Sequence, residues 1–114
     1  MKIFLSMPMN GKTEEEVLAE REEYIEIIKT RRPTWAMGSL TFIDNVRKPK
    51  EIQGDRVKML GDSIMLMADA DLVVMCPGWA KSSGCRIEKA VCSDYNIPVY
   101  YLTGGNGQEE WYII

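Results

Sequence analysis

Apolar positions in this chain come in two patterns that alternate. "KIFLS" (2–6), "DLVVMC" (71–76) and "IPVYYL" (97–102) are short, nearly continuous runs, as expected of strands buried in a sheet. "LTFID" (40–44) is a weaker run of the same kind. Between the runs, Val17, Leu18, Tyr24, Ile25 and Ile28 recur at helical spacing, and so do Val57, Leu60, Ile64 and Met67. Thr13 followed by Glu16 forms a capping-box pattern and predicts a helix start near residue 13. Pro33 disfavours helical geometry at Arg32, so that helix should stop near Thr30. A second helix is predicted over 55–68 and a third over "CRIEKAVCSDYN" (85–96), while "EEWYII" (109–114) is a candidate short last strand.

The order is therefore βαβαβαβ, with a further strand at the end. Strands alternating with helices imply an α/β fold: a parallel sheet of four to five strands between helical layers, with right-handed crossovers. In such sheets ligands bind beyond the carboxyl ends of the strands. Three loops should meet there, "SMPMNGK" (6–12), "DNV" (44–46) and "PGWAKSSG" (77–84). A length of 114 residues, with no linker, repeat or low-complexity stretch, makes 1–114 a single domain.

Composition narrows the chemistry. The net charge is -3, and "KTRR" (29–32) and "RKPK" (47–50) are too short to mark a polymeric nucleic-acid footprint. No apolar run reaches membrane-spanning length, and the N-terminus turns polar too soon for a signal peptide. Three cysteines without CxxC spacing point to reduced thiols in a cytoplasmic setting. The chain holds no histidine, which removes histidine-based triads and most zinc sites; no metal or cofactor is expected. Acid–base or nucleophilic work falls to carboxylates, tyrosine, lysine, serine or cysteine. Cys85 lacks a histidine to activate it, which disfavours a thiol nucleophile.

Glu88 stands out by its neighbours. Residues three and four positions away on a helix share its face. For Glu88 these are Gly84, Cys85, Val91 and Cys92, all small or apolar. An acid near a helix start is favoured by the helix dipole, but that does not explain an apolar surround. Arg21 also lies among apolar neighbours, and a structural ion pair is its expected role. Asp69 and Asp71 are expected to cap and turn the chain before the third strand, whereas Asp44 follows the second strand, at the better end. Trp79 reads equally well as a base-stacking platform and as a cover for the core edge. Methionines such as Met59, Met65 and Met67 are expected as core filler. "MNGK" (9–12) and "SSG" (82–84) offer backbone N–H groups near helix starts.

"KIFLSMPMNGKTEEEV", "FID", "MADADLVVMCPGW" and "SSGCRIEKAVCSDYNIPVYYL" together resemble the nucleoside 2-deoxyribosyltransferase superfamily, most of all its small uncharacterised bacterial and phage branch. The likeness covers most of 1–102 and is loose over 31–57. It implies a three-layer flavodoxin- or Rossmann-like sheet. It also implies cleavage of the N-glycosidic bond of a (2-deoxy)nucleoside or nucleoside 5′-phosphate, by hydrolysis or base exchange. Glu88, after Ser83 and Gly84, stands at the position of the nucleophile. By the resemblance, Ser6, Pro8, Met9, Asn10 and Gly11 would hold sugar and base, and Ser82 and Ser83 a 5′-phosphate, with Gly84 beside them as a further expected substrate contact. The superfamily's second acid falls by spacing at Ser63, with Asp62 one residue away as the candidate. Asp44 and Trp79 complete the expected substrate contacts. The aromatic residue common in the superfamily's first loop is missing. Members assemble as homo-oligomers in which a neighbour's chain end completes the site, a part open here to Asn106 and the tail. The alternatives are a non-catalytic module that captures a nucleotide-derived small molecule, and an oligomeric interaction protein.

Overall fold

The computed structural model describes residues 1–31, 36, 38–46, 56–104 and 111–114, without the side chains of Trp111 and Tyr112. Five strands and three helices follow in order: β1 (Lys2–Ser6), α1 (Glu14–Arg31), β2 (Thr41–Phe42), α2 (Arg56–Met67), β3 (Leu72–Met75), α3 (Ser83–Asp94), β4 (Val99–Gly104) and β5 (Trp111–Ile113). The sheet order is β2-β1-β3-β4-β5. β2, β1, β3 and β4 run parallel, and β5 closes the edge antiparallel to β4. This is the three-layer α/β architecture of flavodoxin-like and Rossmann-like folds, with its switch point between β1 and β3.

Side-chain alternation along the strands divides the core in two. Ile3 and Leu5 of β1, with Leu72 and Val74 of β3, meet Val17, Tyr24, Ile25 and Ile28 of α1 on one face. Phe4, Val73 and Met75 point to the other face, against Met67 of α2 and Cys85 and Cys92 of α3. The same alternation turns Ser6 toward α2 and α3. Ser6 is fully buried, pairs in register with Met75, and closes the carboxyl end of β1.

The ends of the elements follow local chemistry. The capping box closes as the spacing predicts: Thr13 N–H donates to Glu16 Oε1 at 3.0 Å, and Glu16 N–H to Thr13 Oγ1 at 3.1 Å. α3 begins two residues earlier than expected. Ser82 is its N-cap, and the Ser82 hydroxyl accepts from Cys85 N–H at 3.4 Å. Asp71 ties the strand starts together, accepting from Lys2 N–H at 2.6 Å. β2 is shorter than the expected 40–44 run, only Thr41–Phe42.

Three expectations about packing need correction. Leu18 is 43% exposed, because it falls off the edge of the α1 stripe centred on Val17, Tyr24, Ile25 and Ile28. Met65 is 73% exposed and Val57 81% exposed, so the apolar periodicity of α2 does not all face a core. Arg21 forms no ion pair among the described residues; its Nη2 donates to the carbonyls of Phe42 (3.4 Å) and Ile43 (3.1 Å) and so clamps the end of β2. Pro33, the "RKPK" stretch, most of the 45–54 connection and Asn106 with the rest of 105–110 lie outside the described residues.

Candidate functional site

A cleft of about 420 Å³ opens beyond the carboxyl ends of the parallel strands, between α2, α3 and the loop after β1. That volume lies in the range of small-molecule sites. Glu88 lines it, from the second turn of α3, and is itself only 6% exposed.

Both carboxylate oxygens of Glu88 are held. Ser6 Oγ donates to Oε1 at 2.6 Å, across the end of β1. Ser63 Oγ donates to Oε2 at 2.6 Å, from the third turn of α2. The residues therefore come from three elements distant in sequence, and the sheet and its helix layer bring them together. The only ion pair among the described residues is Lys12 with Glu20, at 2.8 Å, on the α1 side. Glu88 has no such partner among the described residues. Burial pushes its carboxyl above the ordinary value of 4.5, and the two serine hydroxyls work against that rise. A buried acid with no cation beside it among the described residues opposes folding, which makes Glu88, at a cleft floor, the candidate for a functional group.

The cleft gathers several of the residues expected from the sequence. Met9 and Asn10 line it from the first loop, and Ser82, Ser83 and Gly84 from the start of α3. Gly84 faces α2, where a Cβ would stand in ordinary contact, 4.0 Å from Leu60 Cδ1. Ser6 enters through its bond to Glu88.

Others are elsewhere. Asp62 is exposed and does not line the cleft, because one residue along a helix rotates a side chain by about 100°. Ser63, where the spacing put the second acid, is the residue that reaches Glu88. Asp44 is exposed, and its Oδ1 accepts from Val46 N–H at 3.4 Å in a local turn. Pro8 packs toward Gly78, where a Cβ would meet Pro8 Cγ at 3.4 Å. Gly11 serves the turn itself, with φ 76°. Trp79 covers the core edge rather than the Glu88 cleft; its ring centroid lies 5.6 Å from that of Tyr101, and Lys89 Nζ stands 5.9 Å from it.

Several residues of the cleft escaped the sequence reading, among them Asn45, Arg56, Met59 and Leu60. Asn45 is buried, and its Nδ2 donates to the Leu5 carbonyl at 2.9 Å. Arg56 brings a cation to the lining, and Met59 and Leu60 an apolar wall. Asn45 and Arg56 follow or flank polar loops, where neither spacing nor hydropathy singles out one residue. Leu60 and Met59 carry an apolar signal that cannot tell a core from a cleft wall.

No group of histidine, cysteine or carboxylate side chains among the described residues could hold a metal ion. Chemically, the arrangement offers a fixed carboxylate for attack on an electrophilic carbon, for stabilising an adjacent positive charge, or for accepting a ligand hydroxyl. The described lining holds no second carboxylate.

The family model for Domain of unknown function (DUF4406) matches residues 1–101. The chain belongs to this family. No curated protein and no solved structure matches it. Within this DUF4406 domain, every element that carries Glu88, Ser6 and Ser63 lies inside the matched span. No helix among its described residues is long and apolar enough to cross a membrane.

Proposed function

We propose that this DUF4406 protein cleaves the N-glycosidic bond of a (2-deoxy)nucleoside or nucleoside 5′-phosphate, with Glu88 as nucleophile. The observation that carries the reading is a buried carboxylate, with no ion-pair partner among the described residues, on the floor of a cleft at the carboxyl ends of a parallel sheet. As the bond from the anomeric carbon to nitrogen lengthens, positive charge builds on the sugar. The adjacent carboxylate stabilises that charge and then attacks. The C1′–N bond breaks with its electron pair going to the base, which takes a proton from solvent. A C1′–O bond forms to Glu88. Water then attacks C1′, the sugar leaves with the water oxygen, and the Glu88 carboxylate is restored; a second base attacking instead gives exchange.

The apolar wall of Met59 and Leu60 suits the flat face of a base, and Arg56 with Ser82 and Ser83 suits an anionic end of the ligand. The buried, unpaired thiols fit a reducing, cytoplasmic compartment. Base release from a panel of nucleosides and nucleotides tests the proposal. Glu88→Gln should release base at least about a hundredfold more slowly than wild type; equal rates would overturn the nucleophile.

A second reading, a non-catalytic module that captures such a ligand, is favoured by the lack of a second carboxylate in the described lining, since glycosidic cleavage commonly uses two. It predicts saturable binding by calorimetry with no base released from any member of the panel.

A further inference from the structure

The outer face of α2 carries a row of residues that the other described residues leave open, although its first member, Val57, also stands on the rim of the Glu88 cleft. Val57, Gly61, Met65 and Ala68 follow one another at helical spacing, four, four and three residues apart, and all are exposed. Two of them are large apolar side chains, at 81% and 73% exposure. Gly61 is the more telling member. It lies in the middle of a 12-residue helix, where glycine weakens folding by about fivefold relative to alanine. Nothing among the described residues requires it: a Cβ at Gly61 would meet none of their atoms within 4 Å. Gly61 is also not among the glycines with positive φ. A side chain is missing where the described residues leave room for one, between two apolar groups that they leave exposed.

We infer that this face is an interface with a second copy of the same chain, in which the two α2 helices cross antiparallel at Gly61. The pattern is self-complementary about that residue. Val57 stands four positions before it and Met65 four after, so a two-fold axis at Gly61 lays each Val57 against Met65 of the second copy. With no side chain at Gly61, the helices can cross within the usual interaxial range of about 8–10 Å.

The charges beside the stripe select the same direction. Lys58 and Asp62 lie on one flank and are both exposed. In an antiparallel pair, Lys58 falls on the same flank as Asp62 of the second copy, about two residues, or roughly 3 Å, along the axis. In a parallel pair the two would lie on opposite flanks. The apolar stripe is only about three turns long, so the dimer belongs among weak, concentration-dependent associations.

The interface predicts a specific cross-link. Helix axes about 9–10 Å apart, with Cα atoms on cylinders of about 2.3 Å radius, bring the two residues 61 to roughly 5 Å, within disulfide range. The native cysteines cannot compete, since Cys76, Cys85 and Cys92 are 0%, 2% and 1% exposed. Three proteins are compared under mild oxidation and by light scattering over a concentration series: Gly61→Cys, Glu26→Cys on the exposed side of α1 as control, and Met65→Lys. The expected result is a covalent dimer from Gly61→Cys and none from Glu26→Cys. Wild type should dimerise as concentration rises, while Met65→Lys stays monomeric with an unchanged circular dichroism spectrum. A monomeric wild type at every concentration, a dimer that survives Met65→Lys, or equal cross-linking from residue 26 would overturn the interface.

Discussion

Glu88 is the residue at which stability and chemistry pull in opposite directions. Burial raises its carboxyl above the ordinary 4.5, so the folded protein binds that proton more tightly than the unfolded chain does. The sign follows: stability from this group is complete below about 4.5 and is lost as pH rises through the folded value. Glutamine in its place keeps the shape, can accept from one serine and donate to the other, and carries no charge. Glu88→Gln should therefore melt at a higher temperature than wild type at neutral pH, and the gap should close as the pH is lowered past 4.5. Thermal scans across pH read this directly; a gap that widens in acid would show that burial does not dominate the site. A carboxylate that weakens its own fold, yet is held at both oxygens by Ser6 and Ser63, fits a group placed for its reactivity.

At the scale of elements, what the sequence made legible depends on whether an element's signal is local. The α1 start was written in Thr13 and Glu16, and both bonds of the box form. Thr13→Ala should cost about 1 kcal/mol in urea unfolding without touching the cleft, which Thr13 does not line. Ser82→Ala should cost less, because its 3.4 Å cap bond is long, yet it alters the cleft lining. Ligand binding should thus separate two variants that urea ranks the other way; equal effects on binding would refute the assignment of Ser82 to the site. The α2 signal was legible as periodicity but not as burial. Val57, Leu60, Ile64 and Met67 repeat as a core helix would, but only Met67 is fully buried and Ile64 partly so, while Leu60 and Val57 belong to the cleft wall and rim. Hydropathy reports that a face avoids water, and a core, a cleft and an interface all satisfy it. Glu88 was legible because one charge amid small and apolar neighbours breaks a pattern. Ser63 and Asn45 break none, and only the closing of the sheet brings them to the site.

At the scale of the whole molecule, the two half-cores on either side of the sheet need not be equally firm. The three cysteines report on them separately. Cys76 follows β3, the middle strand of the five, and its N–H donates to the Ser6 carbonyl at 2.9 Å. Its side chain belongs to the α1 face, whereas Cys85 and Cys92 lie on α3 and pack against Phe4, Met67 and Met75. Burial raises all three thiols, so native labelling by a thiol reagent is suppressed both by access and by scarcity of thiolate. Labelling must then follow an opening of the structure. α3 can lift from the sheet without breaking any strand pairing, while exposing Cys76 requires separation at the centre of the sheet. Cys85 and Cys92 should therefore label together and ahead of Cys76, with a weaker dependence on urea, because less surface is exposed in that opening. Quenched time courses resolved by peptide mass measure the order. A ligand held in the cleft bridges α3 to the loop after β1 and to α2, so saturating ligand should slow the α3 pair more than Cys76. Uniform labelling of all three at the urea dependence of global unfolding would mean instead that α3 is bound to the sheet as firmly as the strands are to one another, and that the cleft has no movable wall.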